Sequence, residues 1–320
     1  MRLAPNRYHL AVAMREEASD LPPDARILIA CSGGPDSLAL ARAAADAEIR
    51  AHAIVVDHNL QSESRAVADA AADQCRQMGL PAEVVTVTVD KSGVGPEAAA
   101  RGARYSALDQ AAAESDSAAV MLGHTADDQS ESVLLGLVRG SGARSLAGIP
   151  RRRGHYRRPF LSITRATIEA SLAEAGVTAW EDPHNQDHAY LRSRVRTKVL
   201  PFLTEQLGPG VAAGLRRTGA LSRADADLLD GWADREFTAL VQAGFSVAPL
   251  TELPEAIRWR VLRRFLIHSG CPGSDLTMEH VMSTDTLITD WHGQGPLMLP
   301  GSVVVRRICD TLNAEPVASE

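Results

Sequence analysis

An apolar run, Ile27-Leu28-Ile29-Ala30-Cys31, stops abruptly at Ser32-Gly33-Gly34-Pro35-Asp36-Ser37 and gives way to a helix-forming stretch from Leu38 to about Ala47. This order predicts a strand, a phosphate loop and a helix. Gly33 and Gly34 lack a Cβ, so the backbone there can take a positive φ and come close to a ligand. Ser32 and Ser37 offer hydroxyls, and Asp36 a carboxylate for a metal. The helix N-terminus adds roughly 0.3–1 kcal/mol toward a nearby anion, so a nucleotide phosphate is the natural ligand. A plain glycine turn, with Ser32 and Asp36 as helix caps, would use the same residues. The loop is neither G-x-x-x-x-G-K-S/T nor G-x-G-x-x-G, which excludes the ordinary nucleotide-hydrolase loop and the dinucleotide fingerprint.

Downstream the pattern repeats. Ala51 to His58 reads as a buried strand that delivers Asp57 and His58 to its carboxyl end, the edge where ligands sit in open α/β sheets. A helix from Ser62 to Met78, a strand from Glu83 to Val89 and an alanine-rich helix after Gly93-Val94-Gly95-Pro96 follow. In that last helix Arg101 and Arg104 share a face at i, i+3, as surface ion-pair partners of Glu97 or as clamps on a triphosphate. The strand Ala118 to Gly123 runs into His124-Thr125-Ala126-Asp127-Asp128-Gln129-Ser130-Glu131. Thr125 and Asp128 form a capping box, and Asp127 and Asp128 also suit an oxygen-rich Mg²⁺-ATP site. Alternating strands and helices from residue 27 to 138 predict a doubly wound parallel sheet, an α/β fold with right-handed crossovers.

At 320 residues the chain is long enough for two cores. Domains are expected at 1–204 and 205–320, with Gly208-Pro209-Gly210 as linker and a mainly helical C-terminal part ending in a hairpin, Leu297-Met298-Leu299 to Val303-Val304-Val305. Helices are expected over 8–18, 164–175, 190–200 up to Pro201, 211–238 and 253–268. Four dispersed cysteines with no C-x-x-C pair argue against a disulfide framework or zinc site, and Cys31 reads as a small buried residue. No apolar run is long enough to span a membrane and no leader pattern opens the chain, which predicts a cytoplasmic protein. The net charge of −7 hides an uneven distribution: residues 139–217 hold 14 Arg and Lys against six Asp and Glu, an excess of +8. A basic segment in an acidic chain is the footprint of a polyanion partner, although scattered surface ion pairs would give the same count. The polar loop from Trp180 to Asp187 is where a cationic small substrate would be held.

Ser-Gly-Gly-Pro-Asp-Ser at 32–37 fits the S-G-G-x-D-S signature of the PP-loop ATP pyrophosphatases. With Val-Asp-His at 56–58, Glu-Ala-Ala-Ala-Arg and Arg-Tyr within 97–105, Gly-His-Thr-Ala-Asp-Asp-Gln-Ser-Glu at 123–131, Arg-Gly-Ser-Gly at 139–142, Arg-Pro at 158–159 and Glu-Asp-Pro-His-Asn-Gln-Asp at 181–187, the chain resembles the tRNA(Ile)-lysidine synthase family of N-type PP-loop enzymes. It departs from the usual family pattern at His184 and Ser193.

The resemblance implies ATP held by Ser32, Gly33, Gly34, Pro35, Asp36, Ser37, Asp57, His58, Gly123 and His124. It implies Mg²⁺ on Asp36 and Asp127, and chemistry carried by Asp36, Arg101 or Arg104, and Asp127 or Asp128. L-Lysine would be held by Asp127, Asp128, Glu181, Asp182, Asn185 and Asp187. A tRNA(Ile) with a CAU anticodon would lie on Arg139, Arg144, Arg151, Arg152, Arg153, Arg157, Arg158, Arg192 and Arg196. The reaction so implied ligates lysine to C2 of the wobble cytidine through an adenylated tRNA, releasing AMP and pyrophosphate. No membrane partner is expected; a homodimer is compatible with the sequence, which does not fix oligomeric state. The alternatives are a tRNA-thiolating PP-loop enzyme, which usually needs paired cysteines, a nucleotide-binding module without catalysis, and an ATP-driven ligase for a small acid.

Overall fold

A computed structural model describes residues 3–59, 64–88, 95–140, 142–180 and 190–317. The chain divides into two compact units, Met1–Leu221 and Ser222–Glu320. No described helix is long and apolar enough to cross a membrane.

In the first unit, β1 (Ile27–Cys31), β2 (Ala51–Asp57), β3 (Ala82–Thr86), β4 (Ala119–Met121), β5 (Arg152–Arg153) and β6 (Tyr156–Arg157) form a sheet in the order β3-β2-β1-β4-β6-β5. All neighbours run parallel except β5, which turns back on β6 through Gly154. The short apolar runs form strands because both faces are covered. Ile27 and Ile29 point into a core with Leu10, Met14, Leu38 and Ile168, and Leu28 into one with Leu108, Val120 and Leu122. The first core is closed by α1 (Pro5–Ala18), α2 (Pro35–Asp46), α3 (Ser64–Gln77) and α7 (Arg165–Ala175), the second by α4 (Pro96–Glu114). Burying side chains of this size contributes about 1.5–3 kcal/mol each. From β1 the order runs out to β3 and resumes on the other side at β4. The switch point therefore lies between β1 and β4, where the ends carrying Ser32–Ser37 and Gly123–Asp128 meet.

Beyond the sheet lie α5 (Ala126–Arg139), α6 (Ala143–Leu146), α8 (Leu191–Arg194), a π-helical turn over Val195–Val199, α9 (Leu200–Leu207) and α10 (Val211–Gln242). The expected stop at Pro201 does not occur. The π turn restarts the helix at Leu200, which places Pro201 in the first turn of α9, where its missing N–H costs no bond.

The second unit packs α11 (Val247–Glu252), α12 (Glu255–His268) and α13 (Met278–Thr289) with an antiparallel sheet of β7 (Leu297–Leu299), β8 (Val303–Ile308) and β9 (Thr311–Pro316). Its core holds Leu250, Val261, Phe265, Val281, Val303 and Leu312. The expected hairpin is β7 and β8. The third strand, β9, has little β-propensity and is fixed by its six-residue register with β8.

Candidate active site at the carboxyl edge of the sheet

The Ser32–Ser37 loop is held by its own hydroxyls. Ser37 Oγ donates to the Gly34 carbonyl at 2.9 Å and accepts from the Ser32 amide at 3.0 Å. Gly34 is the N-cap of α2 with Pro35 beginning the helix, and no side chain caps it. Ser32 and Asp36 are therefore not spent as helix caps, and the N-terminal amides of α2 remain open to an anion. Gly33 sits at φ +81°, with room for a Cβ only 3.1 Å from that of Ala71. A Cβ on Gly123 would stand 2.9 Å from the Asp36 carbonyl, so strand end and loop meet without side chain between them. Cys31 is buried beneath the loop; Cys75 donates to its sulfur at 3.7 Å, and that bond holds the Cys31 thiol down at about 7.

Asp36 and Asp127 meet on one residue that the sequence did not single out. Arg165, first in α7, gives its guanidinium to Asp36 Oδ2 at 3.1 Å and its backbone N–H to Asp127 Oδ2 at 2.8 Å. The other Asp36 oxygen, Oδ1, is buried with no hydrogen-bond partner. Burial raises the Asp36 carboxyl above its ordinary range, opposed by Arg165 and reinforced by the charge of Asp128.

Asp128 is fully occupied. Oδ2 accepts from the Thr125 amide at 2.7 Å and hydroxyl at 2.9 Å, completing the expected capping box, and Oδ1 accepts from Arg192 at 3.3 Å and Arg196 at 3.0 Å. Burial works against its charge, but Arg192, the Thr125 amide, His124 and Arg196 together hold its pKa below the ordinary value. The same two arginines clasp Glu131, at 2.9 Å from Arg192 and 2.6 Å from Arg196. Glu131 is 1% exposed and was quoted only as part of a motif. Its signal was a carboxylate one helical turn after Asp128 on the buried face of α5.

Farther along the same edge, Arg104 is half-buried, with its Nε buried and unpartnered among the described residues and its guanidinium carbon 5.6 Å from the centre of the Tyr105 ring. Burial lowers its pKa. Its charge and its own burial push down the basicity of His58 at the end of β2, while His124 after β4 is lowered to about 3, chiefly by burial. Both imidazoles are thus neutral near pH 7, and each has an unpartnered buried Nδ1. Arg158 joins them: 3% exposed, it donates to the Pro150 carbonyl at 2.8 Å, and its Nε has no partner. A half-buried and a buried guanidinium group near two neutral histidines, with no carboxylate bonded to either among the described residues, suit an anion. Arg101 is exposed and, among the described residues, donates to the Tyr105 hydroxyl at 3.2 Å. Asp57 is buried and accepts from the Asn59 amide at 2.9 Å, a local turn bond.

Several of the arginines expected on tRNA are engaged within the fold. Arg151 and Arg152 pair with the buried Glu17, and Arg152 and Arg157 with Asp20. Arg139, Arg144 and Arg153 are exposed. Glu181, Asp182, Asn185 and Asp187, expected around lysine, lie outside the described residues.

Residues 8–203 match the PP-loop domain model, and residues 245–312 match the TilS substrate binding domain model. The chain is 50% identical to a tRNA(Ile)-lysidine synthase of Thermobifida fusca, covering 92% of this chain and 93% of that protein. It is 49% identical to the synthase of Streptomyces coelicolor, over 91% and 86%. Among solved structures, the U34-tRNA thiolase NcsA of Methanococcus maripaludis with its 4Fe–4S cluster shares the fold, at a TM-score of 0.56 and 19% identity over 68% of this chain and 80% of that one. With its motifs meeting at one strand edge and relatives of this similarity over about nine-tenths of its length, the chain belongs to the tRNA(Ile)-lysidine synthase family of PP-loop enzymes.

Proposed function

We propose that the chain ligates L-lysine to C2 of the wobble cytidine in a tRNA(Ile) with a CAU anticodon, in two steps at the Ser32–Ser37 edge. In the first, the cytidine C2 oxygen bonds to the α-phosphorus of ATP as the bond to the β-phosphate oxygen breaks, releasing pyrophosphate. In the second, the ε-amine of lysine, having lost a proton, bonds to C2 as the C2–O bond breaks, releasing AMP. The observation that carries the proposal is the pairing of opposite needs at one edge: buried guanidinium nitrogens without acids, and a buried Asp36 oxygen without a donor.

In this account the open amides of α2 and the side chains of Arg104 and Arg158 take the phosphate oxygens, with most effect on the charge that grows on the departing pyrophosphate. Asp36 and Asp127, two hard carboxylates tied by Arg165, fit a divalent cation shared with phosphate oxygens, and the unpartnered Asp36 Oδ1 is the free ligand atom such an ion needs. Mg²⁺ bound there would neutralise phosphate charge. Asp128 has no acceptor capacity to spare, so Asp127 is the better placed to hold the lysine ammonium and take its proton.

Quantifying both products with and without lysine tests the order of steps. Omitting lysine should leave pyrophosphate release, dependent on tRNA and Mg²⁺, at about one equivalent per enzyme, with AMP appearing only when lysine is added. Simultaneous AMP and pyrophosphate release without lysine would refute the adenylated intermediate.

A further inference from the structure

Tyr105 of α4 stands among three cations. The guanidinium carbons of Arg101 and Arg104 lie 5.0 and 5.6 Å from its ring centre, and Arg158 bonds to its hydroxyl from the end of β6. Burial works against ionisation of this phenol, yet the charges of Arg101, Arg158 and Arg104 hold its pKa below the ordinary value. Among the described residues no carboxylate bonds to Arg104 or Arg158. Like charges brought to one edge repel, so their positions must be set by what holds Tyr105.

Tyr156 of β6 holds it. The two rings meet edge to face, with centroids 5.0 Å apart and planes at 71°. Tyr156 is 7% exposed and packs in the apolar cluster of Leu28, Leu108 and Val120, where a hydroxyl needs a partner. That hydroxyl has two acceptors for its one hydrogen, Asp109 Oδ1 at 2.6 Å and the Tyr105 carbonyl at 3.2 Å, so it grips α4 across a full turn. Burial and the Asp109 carboxylate both raise the pKa of the Tyr156 phenol, which keeps it a donor. His155 stacks on the same ring at 4.4 Å, with Nε2 3.1 Å from Asp109. On the strand side the grip is anchored to β4: the Val120 amide donates to the His155 carbonyl at 3.0 Å and the Leu122 amide to the Arg157 carbonyl at 2.9 Å. Arg104 immediately precedes Tyr105, and Arg158 follows Tyr156 by two residues.

We propose that Tyr156 is a positioning residue for the anion site: its hydroxyl, bonded to Asp109 and the Tyr105 carbonyl, ties α4 to β6 and sets the spacing of the Arg104 and Arg158 guanidinium groups. The proposal rests on the function given above only in taking those two arginines as phosphate ligands.

ATP titrated into the full chain with Mg²⁺ and without tRNA tests it. Tyr156→Phe keeps the ring in the core and should weaken ATP roughly tenfold, the size of one hydrogen bond to a charged acceptor. In a chain carrying Arg104→Ala and Arg158→Ala, the same change should cost about twofold at most, because the groups it positions are gone. A loss of stability alone would cost the same in both backgrounds. The Asp109 side chain is 54% exposed, so its variants burden folding less. Asp109→Asn, which keeps the acceptor oxygen, should stay within about twofold of the wild type, and Asp109→Ala should bind ATP several-fold more weakly. Wild-type affinity in Tyr156→Phe, an equal loss in both backgrounds, or equal affinities of Asp109→Asn and Asp109→Ala would overturn the proposal and leave the phosphate ligands standing. Wild-type affinity in the chain lacking both arginines would remove the phosphate reading, and this proposal with it. Failure of lysine transfer would change none of these binding results.

Discussion

Arg165 joins two carboxylates that arrive from different strands, and its role follows from what it does to Asp36. The Asp36 carboxyl is raised by burial, and Arg165 is the largest influence holding it down. Removing that cation disfavours the ionised form further, so the pKa climbs. If ionised Asp36 is required, the acid limb of the pH–rate profile for pyrophosphate release should move to higher pH in Arg165→Met, with the alkaline limb unchanged. An acid limb that stays in place would show that Asp36 does not govern it. Gly123 makes a steric prediction. Gly123→Ala brings a Cβ to 2.9 Å from the Asp36 backbone oxygen, a contact that must be relieved by moving the loop. Pyrophosphate release should fall at least tenfold while Tm changes little, and wild-type turnover would contradict the close approach. At this scale the sequence was legible where residues act through their neighbours in the chain, as in the Thr125–Asp128 cap and the Ser32–Ser37 loop. Arg165 and Glu131 escaped because their partners lie far away in sequence: Arg165 bonds to Asp36 across 129 positions, and Glu131 to Arg192 across 61.

The same distinction runs through the elements. Strands β1, β2 and β4 were readable because their apolar runs end in polar residues on a sheet covered on both faces, whereas β9 depends on a partner strand rather than on its own residues. The π turn over Val195–Val199 was invisible because helical sequence continues through it. It holds Arg196, which with Arg192 of the preceding α8 reaches Asp128 and Glu131 of α5. That four-residue cluster fastens the α8–α9 segment to α5. Glu131→Gln leaves two guanidinium groups short of one charge, and since both arginines are about a third exposed, the expected cost is roughly 1–3 kcal/mol. Urea unfolding would measure it, and a change below a few tenths of a kcal/mol would mean that water replaces the pairing. The sign with pH is also set. Because the Asp128 pKa is depressed in the fold, its stabilising contribution is complete above the ordinary carboxylate value and disappears as pH falls through the folded one. Asp128→Asn should therefore narrow its stability gap to wild type in strongly acidic solution, and a gap that widens there would contradict the pairing.

For the whole molecule, the charge excess of residues 139–217 overstates what is free to meet a polyanion. Arg151, Arg152 and Arg157 answer Glu17 and Asp20, acids too far upstream to be recognised as their partners from sequence. Arg139 and Arg153 are exposed and are the ones to test against phosphate. Arg139→Ala and Arg153→Ala should each lower the slope of log K against log salt for tRNA by about one, whereas Arg157→Ala should leave the slope unchanged and cost stability. Equal slopes in all three variants would contradict this division. The central claim is reached most directly by following labelled L-lysine, with ATP and Mg²⁺, into a tRNA(Ile) transcript with a CAU anticodon, beside one whose wobble cytidine is replaced by uridine. Label confined to the cytidine transcript, and lost in Asp36→Ala, is the predicted result; lysine transfer to both transcripts or to neither would contradict the account.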